Sequence, residues 1–282
     1  EVRGACANYT QEYVDRMIRV LRPTVEALEA KDLLQYAYVY GFDENPASCE
    51  PQVRKLFGAV KKNFPTLRTA AVLNWNPMPV DLPVDVWIIQ YQEADAEQVK
   101  AWVAAGKQQW WYHCIEPHSL EYMNTFVERP GMQNRLLFWL AALSQSTLGA
   151  PSGWLYYAVN LWRPGPGVTP HVLGWAPAGA PFTNFDPSSY IWPQYPDIFL
   201  NGDGYFTYPC PGGAPCPTVR LSNIRDGLED WDLFNQVPQD KLPDLISQLV
   251  TSPTDWIDSP QLLQKIRAQA AALVPPSSAA LV

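Results

Sequence analysis

Apolar residues recur along the first 160 residues in two alternating periods. Runs with helical spacing cover Thr10–Ala30, Glu50–Phe64, Asp95–Ala105 and Met132–Leu148. Between and after them lie short, continuous apolar runs at Gln35–Phe42, Thr69–Leu73, Val84–Gln90, Gln109–Ile115 and Trp154–Val159. Continuous rather than alternating apolar runs are typical of strands that are buried on both faces of a parallel sheet. The pattern therefore predicts an α/β domain with about five parallel strands.

The rest of the chain follows a different pattern. Residues 163–217 are rich in Pro, Gly, Trp and Tyr and show little periodicity, which predicts a long loop of functional or surface-wrapping character. Residues 220–275 return to helical spacing, with helices expected at Ser222–Phe234, Leu242–Val250 and Pro260–Val274. We expect one domain over residues 1–282, with the five βα-like units within residues 10–162.

Composition narrows the class of protein. The chain is 47% hydrophobic, which suffices for a sizeable core and excludes disorder over most of its length. Its net charge of −8 and lack of a basic stripe make nucleic acid an unexpected partner. No apolar run reaches the length of a membrane span, so we expect no membrane-spanning segment.

Aromatic residues are frequent, with 12 Trp and 14 Tyr, and two interpretations of them stay open. Their rings stack well on the apolar faces of sugars, which points to a carbohydrate site, but they also fill cores and loops. The sequence contains no metal-ligand spacing of its three histidines, no phosphate-binding loop and no dinucleotide fingerprint. We therefore expect no metal and no cofactor.

Several features favour the secretory pathway. The sequence begins with Glu1 rather than Met, which we interpret as removal of a leader segment or as a fragment. Cys210 and Cys216 flank a tight Pro-Gly-Gly-Ala-Pro loop that a disulfide would close, and Asn8 opens a glycosylation sequon. We expect a secreted or extracellular protein with both modifications.

Asp43 and Glu44 are the sharpest candidates for chemistry. They come directly after an apolar, aromatic strand, and the carboxyl ends of parallel strands are where sites form in α/β proteins. A carboxyl group beside aromatic rings can stay protonated near neutral pH, as a general acid must. The alternative is that Asp43-Glu44-Asn45-Pro46 makes a turn or caps the next helix.

Five segments, in this order, resemble the catalytic domain of glycoside hydrolase family 123. They are Tyr40-Gly41-Phe42-Asp43-Glu44, Val84-Asp85-Val86-Trp87, Trp110-Trp111-Tyr112, Asn201-Gly202-Asp203-Gly204 and the stretch Arg220-x-x-x-Ile224-Arg225-Asp226-Gly227-Leu228-Glu229-Asp230. The resemblance implies a TIM-barrel β-N-acetylgalactosaminidase in which Glu44 protonates the glycosidic oxygen and Asp43 orients the 2-acetamido group of the substrate. From their positions after neighbouring strands, we expect Trp75, Tyr112 and Trp162 to line the sugar pocket, with Asn74 and Asn160 as hydrogen-bonding residues.

The strand count departs from the family. A TIM barrel has eight strands, and this sequence shows about five, with the Asp43-Glu44 strand first where the family has it about fourth. We expect an incomplete barrel that another polypeptide or a removed N-terminal segment completes. The expected function is hydrolysis of β-linked N-acetylhexosamine glycans; the alternatives are a non-catalytic carbohydrate-binding or structural protein on a degenerate barrel, and an unrelated α/β hydrolase.

Overall fold

The computed structural model describes residues 9–160, 201–209 and 215–275 of the 282-residue chain. The described residues fall into two compact units. The first takes those within Glu1–Tyr112 and Leu148–Leu155, and the second takes those within His113–Thr147 and Tyr156–Val282. The expectation of one domain over residues 1–282 stays a prediction.

The first unit is a parallel α/β structure. Its strands are β1 (Tyr38–Asp43), β2 (Arg68–Val72), β3 (Val86–Gln90), β4 (Gln108–Tyr112) and β5 (Gly153–Leu155), and its helices are α1 (Gln11–Glu29), α2 (Glu50–Asn63) and α3 (Ala96–Ala104). The strands pair in the order β1-β2-β3-β4-β5, each parallel to its neighbour. This arrangement confirms the predicted fold class, a five-stranded portion of a barrel-like α/β architecture.

Local sequence explains where these helices begin. The Thr10 hydroxyl accepts a hydrogen bond from the Tyr13 backbone N–H at the start of α1, at 3.1 Å. The Asp95 carboxylate does the same for the Gln98 N–H at the start of α3. Each cap satisfies a backbone donor that the first helical turn leaves without a partner, so both helices start where their polar caps lie.

The helices of the first unit cover the sheet with apolar side chains. One buried cluster joins α1, α2 and the segments that lead into β1 and β2. It consists of Ile18, Val25, Leu34, Val60, Phe64 and Leu67. Farther along the sequence, the rings of Trp87 in β3 and Trp102 in α3 meet edge to face, with their centroids 5.5 Å apart. The middle strands are therefore buried, as the continuous apolar runs predict.

Both ends of the five-stranded sheet are edges. Among the described strands, β1 pairs only with β2, and β5 pairs only with β4. Tyr36, Tyr38 and Tyr40, at alternate positions leading into and along β1, are each more than 40% exposed. Within the part of the chain that the structure describes, the sheet is thus open at the strand that carries Asp43.

The second unit combines helices with two small hairpins. Its helices are α4 (Gln133–Leu148), α5 (Val219–Phe234), α6 (Leu242–Ile246) and α7 (Pro260–Leu273). The last residue of α4, Leu148, is assigned to the first unit. Strands β6 (Thr207–Pro209) and β7 (Pro215–Pro217) form one antiparallel hairpin, and β8 (Val250–Ser252) and β9 (Asp255–Trp256) form the other. None of the helices within the described ranges is long and apolar enough to cross a membrane.

Several expected elements differ in extent from those observed, and two of them end four residues early. The helix expected over Leu242–Val250 ends at Ile246, because Val250 instead pairs with Trp256 across the turn at Pro253-Thr254. The strand expected over Trp154–Val159 ends at Leu155, because the next side chain, Tyr156, is bound to Asp203 of the second unit. Of the loop expected over residues 163–217, residues 163–200 and 210–214 lie outside the described residues.

Candidate active site

The backbone at the end of β1 is irregular. Phe42 and Glu44 have φ angles of 61° and 53°, a left-handed region that residues other than glycine rarely adopt. The pairing register with β2 shifts between Tyr40 and Asp43, and the Glu44 N–H donates to the Val72 carbonyl oxygen at 2.9 Å. Bulges and left-handed residues of this kind concentrate at functional sites, where they direct a side chain away from the regular pleat.

Each carboxyl group of the pair accepts a hydrogen bond from a different tyrosine. The Tyr40 hydroxyl donates to Asp43 Oδ1 at 2.9 Å, and the Tyr112 hydroxyl donates to Glu44 Oε1 at 2.8 Å. Asp43 and Glu44 are both half-buried. The two adjacent carboxyl groups are therefore held by separate partners and are available for separate tasks.

Asn74 extends this hydrogen bonding across the sheet. Its Nδ2 donates to the Tyr112 hydroxyl oxygen at 3.0 Å, and its Oδ1 accepts from the Gln90 backbone N–H at 3.4 Å. Gln90, Asn74, Tyr112 and Glu44 lie at the carboxyl ends of β3, β2, β4 and β1. Four of the five strand ends are thus joined by one chain of hydrogen bonds at the edge of the sheet where sites of α/β proteins form.

Tyr112 is the buried member of this chain. Its side chain lies beneath the more exposed Asn74, with only 4% of the residue exposed. Burial, which disfavours the charged phenolate, together with the nearby Glu44 charge, raises the pKa of Tyr112 well above its usual value. Tyr112 therefore stays a hydrogen-bond donor at any working pH.

The other residues expected at the site do not all lie beside Asp43 and Glu44 in the described structure. Trp75 is buried, and its indole N–H donates to the Asn45 carbonyl oxygen at 2.6 Å, so its sugar-stacking role stays a prediction. Asn160 is exposed in the second unit and forms an isolated bridge with Tyr205. Trp162, Asn8 and Cys210 lie outside the described residues, while Cys216 lies in β7.

One residue of the site was missed at the level of sequence. Tyr40 holds Asp43, yet its position in an apolar run indicated only a core residue. Its signal is the alternation of β1, in which Tyr36, Tyr38 and Tyr40 share one exposed face. The Tyr112–Glu44 bond itself joins residues 68 positions apart, and no local pattern identifies it.

The segments Asn201–Gly204 and Arg220 come together inside the second unit. Arg220 is buried, and its guanidinium donates to the carbonyl oxygens of Thr125 and Gly202 at 2.8 and 2.9 Å and also to that of Tyr205. Gly202 has a φ of 98°, and a Cβ there would lie 2.3 Å from Arg220 Nη1. These residues stabilise a tight turn, which explains why the glycine and the arginine occur together.

The acidic stretch of α5 also has a structural role. Asp230 is fully buried and accepts hydrogen bonds from Arg135 Nε at 2.6 Å, Trp139 Nε1 at 2.8 Å and Arg267 Nε at 2.7 Å. Two cations and an indole thus compensate its charge. Within the described ranges, no group of three or more His, Cys, Asp or Glu side chains is placed to hold a metal ion.

Both the sequence and the fold of the chain resemble those of known proteins. A family model described as glycoside hydrolase 123, catalytic domain, matches residues 4–237. A search of curated proteins found no match. Among solved structures, the chain is similar to a family 123 glycoside hydrolase from Clostridium perfringens, whose structural analysis concerns the hydrolysis of glycolipid glycans. The two share 13% sequence identity with a TM-score of 0.58, and the match covers 94% of this chain but 44% of the other.

Proposed function

Because the chain belongs to the catalytic-domain family of glycoside hydrolase 123, we propose that it hydrolyses β-linked N-acetylhexosamine glycans, N-acetylgalactosamine-like ones in particular. The proposed reaction is substrate-assisted and retains the anomeric configuration. Enzymes of this kind need no second carboxylate on the opposite face of the sugar, because the substrate supplies its own nucleophile. An adjacent Asp-Glu pair suits that chemistry.

In the proposed reaction, Glu44 acts on the leaving group and Asp43 acts on the nucleophile. Glu44 donates its proton to the glycosidic oxygen as the bond to the anomeric carbon breaks. Asp43 orients and polarises the 2-acetamido group, whose carbonyl oxygen attacks the anomeric carbon and forms an oxazolinium-like intermediate. Water then adds to that carbon as its bond to the acetamido oxygen breaks, and the water gives a proton to the Glu44 carboxylate, which restores the acid.

One observation carries the proposal: the two carboxyl groups end the same strand yet are held by different tyrosines. Tyr40 binds Asp43 and Tyr112 binds Glu44, so the two groups are oriented independently. The left-handed backbone at Glu44 supports the same interpretation, because such strain persists where a side chain must point in a required direction. A simple turn or helix cap would need neither feature.

We also propose that the working site needs barrel strands from another segment or chain. The chain spans less than half of the length of the similar structure, and β1, which carries Asp43 and Glu44, is an edge strand within the described sheet. An uncovered edge strand invites further pairing. The partner we propose supplies strands next to β1 and β5.

Secretion is a further part of the proposal. Cys216 lies in β7, and its sulfur is disulfide-bonded. This observation supports the proposed Cys210–Cys216 disulfide. A disulfide and a glycan on Asn8 are both typical of an oxidising, extracellular compartment.

Paired substitutions in the assembled protein test the proposed roles. Glu44→Gln should reduce hydrolysis of a glycolipid glycan by about 10²–10⁴-fold, the usual contribution of general acid catalysis. The same variant should lose much less activity on an aryl glycoside whose leaving group needs no proton. Asp43→Asn should damage both reactions, because the acetamido group attacks in both.

The exposed Glu12→Gln variant, in α1, is the matched control and should leave both rates unchanged. Unchanged glycan hydrolysis by Glu44→Gln would refute the catalytic proposal. Glycan binding without turnover by the unaltered assembly would instead support a carbohydrate-binding protein.

A further inference from the structure

The hydrogen-bond chain behind Glu44 has a direction. The Gln90 backbone N–H can only donate, so the Asn74 atom facing it must be the amide oxygen. That orientation turns the Asn74 NH₂ group toward Tyr112, whose hydroxyl oxygen accepts from it at 3.0 Å. The Tyr112 proton is then directed at Glu44 Oε1, 2.8 Å away.

We propose that Tyr112, oriented by Asn74, is a positioning residue that fixes which oxygen of Glu44 carries the acid proton. This inference rests on the proposed function. An oxygen that accepts the Tyr112 hydrogen bond is held as the carbonyl-type oxygen of the neutral acid, so the proton is on Oε2. The chain of bonds therefore selects one of the two oxygens for proton transfer.

Tyr112 also favours the carboxylate that remains after the proton has left. Hydrogen bonds to an ionised group are shorter and stronger than those between neutral groups, so this bond tightens as Glu44 loses its proton. The interaction is thus stronger in the transition state than in the ground state, which is the requirement for accelerating the chemical step. The tyrosine does not itself give up its proton, since burial keeps it neutral.

Among the described residues, the titratable groups Asp43 and Tyr112 adjoin Glu44. Asp43 is its chain neighbour, and the Asp43 carboxyl group is bound by the Tyr40 hydroxyl. Tyr112 lies opposite, on β4. Removal of the Tyr112 hydroxyl withdraws the hydrogen-bond donor from Glu44 Oε1, so the two carboxyl oxygens lose the difference that this bond imposes. A tyrosine that only packed against the site would leave the hydrogen bonding of the carboxyl group unchanged.

The first test is carbon-13 NMR of the Glu44 carboxyl group at one fixed pH, with its signal assigned by its loss in Glu44→Gln. In the Tyr112→Phe variant of the full chain, this carboxyl signal should move, because Glu44 Oε1 has lost its hydrogen-bond donor. The exposed Tyr13→Phe variant, in α1, is the control and should give the carboxyl signal of the unaltered chain. This measurement needs no substrate.

A second variant guards against misfolding. Asn74 is exposed, and Asn74→Ala removes the donor to Tyr112 without opening a buried cavity. It should move the Glu44 carboxyl signal in the same direction by a smaller amount. An unmoved signal in folded Tyr112→Phe, or in Asn74→Ala where Tyr112→Phe does not fold, overturns the inference.

Kinetics separate this inference from the proposed function. In the assembled enzyme, Tyr112→Phe should lower kcat about tenfold on a glycan with an unactivated leaving group, leave KM little changed, and spare the activated aryl glycoside. Full activity of Glu44→Gln would refute the proposed function while leaving the NMR result standing. A raised KM with unchanged kcat would make Tyr112 a substrate-binding residue and overturn its positioning role.

Discussion

The Asp203 carboxyl group is buried in the turn Asn201–Gly204 of the second unit, where the Tyr156 hydroxyl donates to it at 3.1 Å. Burial raises the pKa of Asp203 to about 6, although hydrogen bonds from Tyr157 and Tyr156 and the charge of Arg220 oppose the shift. In the unfolded chain the pKa of aspartate is about 4. The folded state therefore binds a proton that the unfolded state has already lost between these two values.

We predict that this group makes the protein less stable as pH rises from about 4 to about 6. In that window the folded state holds more protons than the unfolded state, so the free energy of unfolding falls with increasing pH. Asp203→Asn keeps a neutral side chain at every pH and should abolish this decline. Relative to the unaltered chain, the variant should gain up to about 3 kcal/mol by pH 7.

Urea denaturation at pH 4, 5, 6 and 7 measures the difference in unfolding free energy between the two proteins. Asp232→Asn, an exposed change on α5, provides the control and should give a difference that does not vary across the window. A constant difference for Asp203→Asn as well would show that folding does not raise the pKa of Asp203.

At the scale of elements, α4 and α5 approach each other closely at Gly227. A Cβ on Gly227 would lie 2.6 Å from Phe138 Cδ2 and 2.9 Å from the Arg135 carbonyl oxygen. The second of these atoms belongs to the backbone of α4 and cannot move without shifting the helix. The glycine in the Arg-Asp-Gly stretch is therefore required by helix packing rather than by chemistry.

We predict opposite outcomes for two glycine-to-alanine changes in helices. Gly227→Ala should destabilise the protein by roughly 1–3 kcal/mol, the usual cost of forcing atoms into a packed contact. Gly58→Ala in α2, where a Cβ meets nothing within 4 Å, should stabilise it by about 0.5–1 kcal/mol, because alanine is the better helix former. Chemical denaturation compares both with the unaltered chain, and equal effects would contradict the close approach of α4 and α5.

The hydrophobic pattern predicts the elements better than their ends. Periodicity predicts every α-helix and strand of the first unit, because the spacing of apolar residues reflects which faces of an element are buried. The continuous apolar run Thr69–Leu73, for example, is typical of a strand that is buried on both faces. Element ends depend on contacts distant in sequence. Val250 leaves its expected helix to pair with Trp256, and the strand at Trp154 stops where Tyr156 binds Asp203.

The candidate site residues show the same difference, because the sequence predicts their positions along the chain but not their contacts. Asp43, Glu44, Asn74 and Tyr112 are predicted because each lies at or just past the end of a strand that the apolar pattern indicates. Their hydrogen bonds were not predicted, because the Tyr112–Glu44 contact depends on the register of four strands and on the bulge in β1. Sequence pattern therefore predicts which strand ends meet, and the three-dimensional register decides which atoms bind.

At the scale of the whole molecule, the open sheet is the feature with the largest consequence. Eight strands close a barrel of this type, and the described sheet has five, with β1 and β5 at its two ends. Edge strands present backbone N–H and C=O groups that invite pairing with another chain. In the first unit the strand with the proposed acid is one of these edges, so a strand that covered this edge would lie next to the proposed acid.

Amide hydrogen exchange on the isolated, monomeric chain tests this arrangement. We predict that amides of β1 and β5 exchange at least about tenfold faster than those of β3, because central strands are protected on both sides while edges open locally at lower free energy. Strand β3 is the internal control in the same sample, and light scattering establishes that the sample is monomeric. In a preparation that contains the strands we propose as partners, β1 and β5 should become as protected as β3, and glycan hydrolysis should appear together with that protection. If β1 and β5 are already as protected as β3 in the active monomer, the chain covers its own edges and no further strands are needed for catalysis.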